Sequence, residues 1–365
     1  MQCARVYNLS LTFDFVRRNM HVTRTLIAAF GSALLGAALS AQVPASDVDA
    51  HINAARAAAG LDYRATFVNL CFAGAGPALA SGGGAARGAP TPGAAAGRAA
   101  GPATPDRAMW HASPYRIFDN LYWLGTRQHS SWALGTSEGL IILDTNFAWA
   151  TQPEILDGLK TLGLDARDIK YVVISHAHGD HDQGAAELQR RYGAKVVMGA
   201  PDWESTLQRP ATAAGGVPTR DISVGPDGMK LTLGDTTVTI VATPGHTPGT
   251  LSYVFPVKDR GGNVMVAYSG GTLTGAFGTD AARWDEYVAS QKKIAKAAAD
   301  AGATVILSNH SEYDNAYTKA RLIAVKREVG EDHPFVAGAA AVQRYFTVMT
   351  ECATASMLRA TANQR

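Results

Sequence analysis

The chain has almost no surplus of charge, few cysteines and no apolar run long enough to cross a bilayer. Each shortage removes a class of function. Lys and Arg number 33 against 31 Asp and Glu, a formal net charge of +2 over 365 residues, and no long block of like charge occurs. Electrostatics therefore give no reason to expect nucleic acid or a membrane surface as a partner; a small-molecule substrate is the partner expected, on the motifs described below. The uncharged apolar run at 26–39 falls short of a membrane-spanning helix, which needs about 20 residues. Arg24 before it and Ser40-Ala41-Gln42 after it give the run the pattern of a signal peptide, cleaved near residues 40–41, with Met20 as an alternative start. The expected product is periplasmic or secreted, with no stable membrane insertion once the signal is removed. No Ser-His-Asp triad or Cys-His pair is legible. The Gly82-Gly83-Gly84 run lacks both the preceding strand and the following Gly-Lys-Ser/Thr of a phosphate loop.

The three cysteines are Cys3, Cys71 and Cys352. Signal cleavage removes the first and leaves an even pair in an oxidising compartment. A Cys71–Cys352 disulfide would staple an N-terminal arm to a C-terminal helix; two unrelated buried thiols are the alternative.

What is present is an ordinary globular composition, 47% hydrophobic and 18% charged, with ample length for a core. Residues 1–41 read as the signal, 42–72 as a helical arm, 73–107 as a Gly/Ala/Pro-rich linker, 108–330 as the main domain and 331–365 as a helical extension packing on it. One helix is expected over 44–70. Short apolar or alternating runs from Tyr115 to Leu143 predict a β-meander, followed by a helix at Gln152–Leu162 and a strand at Tyr171–Ser175. A second series of strands, Lys230–Leu233, Thr237–Ala242, Thr250–Phe255 and Val264–Ala267, precedes helix Trp284–Ala301 and strand Thr304–Leu307. Two halves, each a sheet with covering helices, predict an α/β fold of four layers, an α/β/β/α sandwich.

The chemistry is concentrated in His176-Ala-His178-Gly-Asp180-His181, at the end of the apolar run Tyr171–Ser175. Neutral imidazole nitrogen with carboxylate oxygen is a donor set that zinc accepts. His176 and His178, one residue apart, point to the same side of an extended segment, while His181 diverges at a helix entrance. Two further histidines follow strands: His246 in Thr243-Pro-Gly-His-Thr-Pro-Gly249, and His310 in Ser308-Asn-His310. Convergence of these segments places five histidines and Asp180 at one edge of the sandwich. His21, His51, His111, His129 and His333 read as ordinary satisfied or exposed rings. His129, Ser269 and Thr272 are also candidate substrate contacts, a role that surface-loop polarity explains as well. Asp144 is a candidate acceptor for a ligand histidine's second N–H, or else a turn cap.

In order and spacing these motifs resemble the metallo-β-lactamase superfamily over most of residues 110–325. His176 is retained where mono-zinc lactamases place Asn. The stretch Val264–Thr272 has neither the bridging Asp of many non-lactamase members nor the Cys of the commonest dizinc lactamases. With the export signal, this is most similar to subclass B3. Ser269-Gly-Gly-Thr-Leu273, the arm and the C-terminal extension depart from that branch. The resemblance implies two Zn2+ per chain, the first on His176, His178 and His246, the second on Asp180, His181 and His310. It further implies opening of a β-lactam ring by attack of a zinc-bound hydroxide that Asp180 orients. Hydrolysis of another ester, lactone or amide is the alternative, and a non-catalytic zinc protein a more distant one. Three ligands per metal leave positions open for water and substrate, as catalytic zinc requires.

Overall fold

The computed structural model describes residues 46–73, 104–272 and 277–362. The expected signal peptide and most of the Gly/Ala/Pro linker lie outside the described residues. Strands β1 (Tyr115–Phe118), β2 (Leu121–Trp123), β3 (Trp132–Thr136) and β4 (Gly139–Leu143) form the antiparallel meander. Strands β5 (Ile169–Val173), β6 (Lys195–Gly199) and β7 (Ile222–Val224) continue the sheet in parallel. The second sheet runs β12 (Val305–Ser308), β11 (Gly262–Ser269), β10 (Leu251–Asp259), β9 (Thr236–Ala242) and β8 (Met229–Leu233), with only the β11–β12 pair parallel. The three-residue β7 was not anticipated, being too short to show a period of two.

Alternation along the strands builds the layers. Ile141, Leu143, Val173 and Val197 face the second sheet, where they join Tyr253, Phe255, Val266 and Leu307 in a common core. Their neighbours Ile142, Val172 and Val196 face the opposite way, onto Leu159, Leu188 and Trp203. Those covering residues come from a run of helices: α3 (Arg107–Trp110), α4 (Ala148–Ala150), α5 (Asp157–Thr161), α6 (Gly179–Asp182), α7 (Ala185–Tyr192) and α8 (Ala200–Leu207) follow α1 (Asp47–Ala59) and α2 (Arg64–Cys71) in the chain. The outer face of the second sheet, through Val254, Ala267 and Ile306, packs on α9 (Ala281–Asp300) and α12 (Ala339–Ala362). Helices α10 (Ser311–Asp314) and α11 (Ala316–Leu322) follow β12. The result is the four-layer α/β/β/α sandwich.

Two expected helices are interrupted. The helix expected over 44–70 breaks into α1 and α2 because Gly60, at φ +51°, caps α1 with its N–H on the Arg56 carbonyl. The helix expected at Gln152–Leu162 opens into a π-turn over Thr151–Leu156 before α5, around Pro153, whose ring removes a backbone donor.

Helices α1 and α2 do not stand apart as an arm. Ala55, Ala59 and Tyr63 pack into the same cluster as Val342, Tyr345 and Met349 of α12. His51 Nδ1 lies 2.5 Å from Glu351 Oε2, and Cys71 is disulfide-bonded to Cys352.

Candidate metal centre

Each histidine-bearing segment leaves the C-terminal end of a strand: β5 before His176, β9 before His246 and β12 before His310. The β5 exit is fixed by Asp144, which follows β4 and adopts a left-handed φ of +58°. Its carboxylate accepts from Ser175 N at 2.6 Å, Ser175 Oγ at 2.8 Å and Tyr268 OH at 2.8 Å. The same Oδ2 stands 3.3 Å from His181 Nδ1, so Asp144 is placed as an acceptor beside that ring.

The donors gather in two groups. In the first, the ring nitrogens of His176, His178 and His246 lie within 4.8 Å of one another, with His178 Nδ1 and His246 Nε2 3.1 Å apart. His176 Nδ1 is 2.9 Å from the Gly270 carbonyl. Donation there leaves Nε2 as a lone pair, and that buried atom has no hydrogen-bond partner. A buried, unsatisfied nitrogen costs free energy unless something coordinates it, and a cation fits.

The second group is centred on Asp180. Its Oδ2 lies 3.1 Å from His181 Nε2, 3.5 Å from His310 Nε2 and 3.6 Å from His129 Nε2. His181 Nε2 and His310 Nε2 face each other at 3.2 Å, although at most one of the two can donate. Burial alone would lower the pKa of His181, but the Asp180 and Asp144 carboxylates outweigh it and push the ring up to about 10. Burial and the neighbouring His181 hold His310 well below the ordinary value, and burial pushes His129 down to about 4. Burial would raise Asp180, yet the imidazoles around it keep it well below the usual carboxylate range. Without a metal, the His181 proton balances the carboxylates; a metal ion would take the place of that proton.

Three supporting residues escaped the sequence reading. Asp202, on α8, ties the two loops of the first group together. Its Oδ2 accepts from Ala177 N at 2.7 Å and Thr247 Oγ1 at 2.8 Å, and its Oδ1 from Gly249 N at 2.9 Å. Gly270 brings its carbonyl to His176 only because it lacks a side chain: a Cβ there would lie 1.7 Å from the Leu251 oxygen. Asn309 Nδ2 donates to that same carbonyl at 2.8 Å. The Gly270-Gly271 pair was the one available sequence signal. Asp202→Ala is expected to weaken metal binding at the first group on the order of 10- to 100-fold, the range for residues that orient ligands without touching the metal. Calorimetric titration of the metal-free protein with Zn2+ checks this; an unchanged affinity would mean the loops hold themselves.

The candidate substrate contacts are placed differently from one another. Ser269 is fully buried, and Thr272, 1% exposed, is hydrogen-bonded to Ser308 and Asn309, so neither side chain faces solvent. Ser130 and Ser131 are also buried, bonded to Trp123 and to the Asp144 carbonyl. His129, expected as an ordinary ring or a surface-loop contact, is 7% exposed and stands in the second donor group. Polarity of a surface loop does not account for this segment.

The profile of the Metallo-beta-lactamase superfamily matches residues 124–260. The four-layer sandwich of this chain is the metallo-β-lactamase fold. Among solved structures it is similar to BJP-1, a subclass B3 metallo-β-lactamase of Bradyrhizobium japonicum, with a TM-score of 0.57 and 29% identity, over 70% of this chain and 97% of that one. Among curated sequences it is 34% identical over 87 residues to the hydroxyacylglutathione hydrolase of Acidiphilium cryptum, covering 24% of this chain and 31% of that enzyme. It is 31% identical over 109 residues to the N-acyl homoserine lactonase AttM of Agrobacterium fabrum, covering 27% and 40%. The chain spans 31% and 36% of the first two curated relatives it matches. Among the described residues no helix is long and apolar enough to cross a membrane.

Proposed function

We propose that the protein is an exported dizinc hydrolase that opens β-lactam rings, with one zinc on His176, His178 and His246 and the other on Asp180, His181 and His310. The observation that carries this reading is the pair of donor groups at one end of the sandwich, in a chain whose fold spans nearly all of a B3 lactamase. When bound, zinc supplies a Lewis acid and lowers the pKa of water to about 7. The chain's own residues do the rest. The Gly270 carbonyl fixes the His176 tautomer, and the Asp144 carboxylate stands 3.3 Å from His181 Nδ1, on the side of the ring away from the Nε2 that faces Asp180 and His310. Asp180 is placed to accept a hydrogen bond from the attacking water and so aim it at the carbonyl carbon. The Cys71–Cys352 disulfide supports residence in an oxidising compartment.

Hydrolysis of a thioester or lactone is the second reading, favoured by the short curated matches. Zinc-loaded protein assayed on nitrocefin, a hydroxyacyl-glutathione thioester and an N-acyl homoserine lactone separates the two. Nitrocefin turnover is expected, lost on chelation and in His178→Ala. Thioester or lactone turnover with none on nitrocefin at high enzyme concentration would replace the first reading by the second.

A further inference from the structure

We propose that Arg209 is a positioning residue that sets the spacing of the two metal positions, by gripping the ligand segment 176–182 at two points. The inference rests on the two-metal reading above. Arg209 lies two residues beyond α8, and its N–H still donates to the Thr206 carbonyl at 3.1 Å. From there its guanidinium reaches both halves of the ligand segment. Nη2 donates to the Ala177 carbonyl at 2.7 Å, and Nη1 stands 2.6 Å from Asp182 Oδ2. Ala177 separates His176 from His178, both in the first donor group. Asp182 directly follows Asp180 and His181 of the second.

A planar guanidinium carries its N–H groups in a rigid fork, so one side chain holds a carbonyl and a carboxylate at a set distance from each other. Asp182 has no water to turn to, because its side chain is only 1% exposed. Removal of its cation would leave a buried charge uncompensated. The backbone closes the same turn, with His181 N and Asp182 N both donating to the His178 carbonyl, at 2.9 and 3.0 Å. The Ala177 N–H is taken by Asp202 on α8. Residues of α8 and its end therefore hold both peptide groups that flank Ala177, one on the His176 side and one on the His178 side. The chain beyond Arg209 is fastened as well. Gly215, at φ +80°, packs so closely on Gln183, the residue after α6, that a Cβ there would lie 1.9 Å from the Gln183 oxygen.

The competing role for Arg209 is plain neutralisation of Asp182. The two roles part when that charge is removed. With Asp182→Asn nothing is left to neutralise, yet the Ala177 carbonyl still needs its donor and the two halves of the segment still need their link.

The test is metal affinity, not turnover. Metal-free full chain, Arg209→Met, Arg209→Lys and the double variant Asp182→Asn with Arg209→Met are titrated with Zn2+ against a chromophoric chelator. The visible spectrum with two Co2+ equivalents is recorded for each, and near-UV circular dichroism of the metal-free proteins checks folding. Wild-type protein is expected to take up two ions. All three variants are expected to bind both ions on the order of 10- to 100-fold more weakly, with altered cobalt spectra. Arg209→Lys is included because one ammonium keeps the charge opposite Asp182 but does not reproduce the fork. It decides alone if Arg209→Met fails to fold. Affinities of Arg209→Lys or of the double variant within about threefold of wild type would reduce Arg209 to a counter-charge and overturn the inference. Weakening confined to one position would overturn it too, by removing the link between the two. Uptake of a single ion by the wild type would overturn the two-metal reading, and this inference with it. Uptake of two ions without nitrocefin turnover would fail the β-lactam reading alone, leaving the affinities to decide on Arg209.

Discussion

Asp180→Asn is expected to lower kcat/KM by more than about 100-fold, beyond the 10- to 100-fold typical of changes one layer further from a metal. The physical reason is local and electrostatic. Asp180 Oδ2 faces three imidazole nitrogens within 3.6 Å, and it is the carboxylate of that group. Asn keeps the shape but removes the negative charge, so the second ion loses its anionic donor and the attacking water loses its strongest acceptor. Charge-balancing protonation of His181 weakens as well, since Asp180 is the chief group raising that ring. Metal analysis of the dialysed variant together with kcat/KM on the best substrate is the measurement. Retention of two ions and of activity within about tenfold of wild type would remove Asp180 from both roles.

The second large effect concerns stability. Joint replacement Cys71→Ala with Cys352→Ala is expected to cost about 5 kcal/mol, because the bond closes a loop with a sequence separation of 281 residues and the chain-entropy cost grows with loop length. At roughly 2 °C per kcal/mol for a domain of this size, Tm falls by about 10 °C. The loss should concentrate at the α1–α2–α12 corner, where Cys71 and Cys352 lie beside Tyr63, Leu70 and Tyr345. Thermal melts of wild type with and without reductant, beside the double variant, provide the check. A Tm unchanged by both treatments would mean that packing of Ala55, Tyr63 and Met349 holds this corner without the cross-link.

The donor chemistry was written locally and could be read there. Apolar runs ending at Ser175, Ala242 and Leu307 mark buried strands, and histidines placed just after them must emerge at strand ends. The i, i+2 spacing of His176 and His178 sets their shared direction, and period-two alternation gives each sheet its two faces. The break at Gly60 and the π-turn at Pro153 were also present as residues, but a hydrophobic pattern outweighs single breakers when only spacing is read.

What the tertiary structure decided is which polar groups meet. Asp202 looks like any acid near a helix start, and becomes the tie between two metal loops only because α8 carries it under Ala177 and Gly249. Ser269 and Thr272 read as loop residues, yet they end beneath α12 and β12. His129 stands alone in the sequence, with no histidine-rich motif around it, and reaches the second donor group through backbone hydrogen bonds to the segment around His310. Local patterning fixes periodicity and donor type because those depend on neighbours in the chain. The final donor set depends on hydrogen bonds between segments far apart in sequence, and only the packed sandwich brings those segments together.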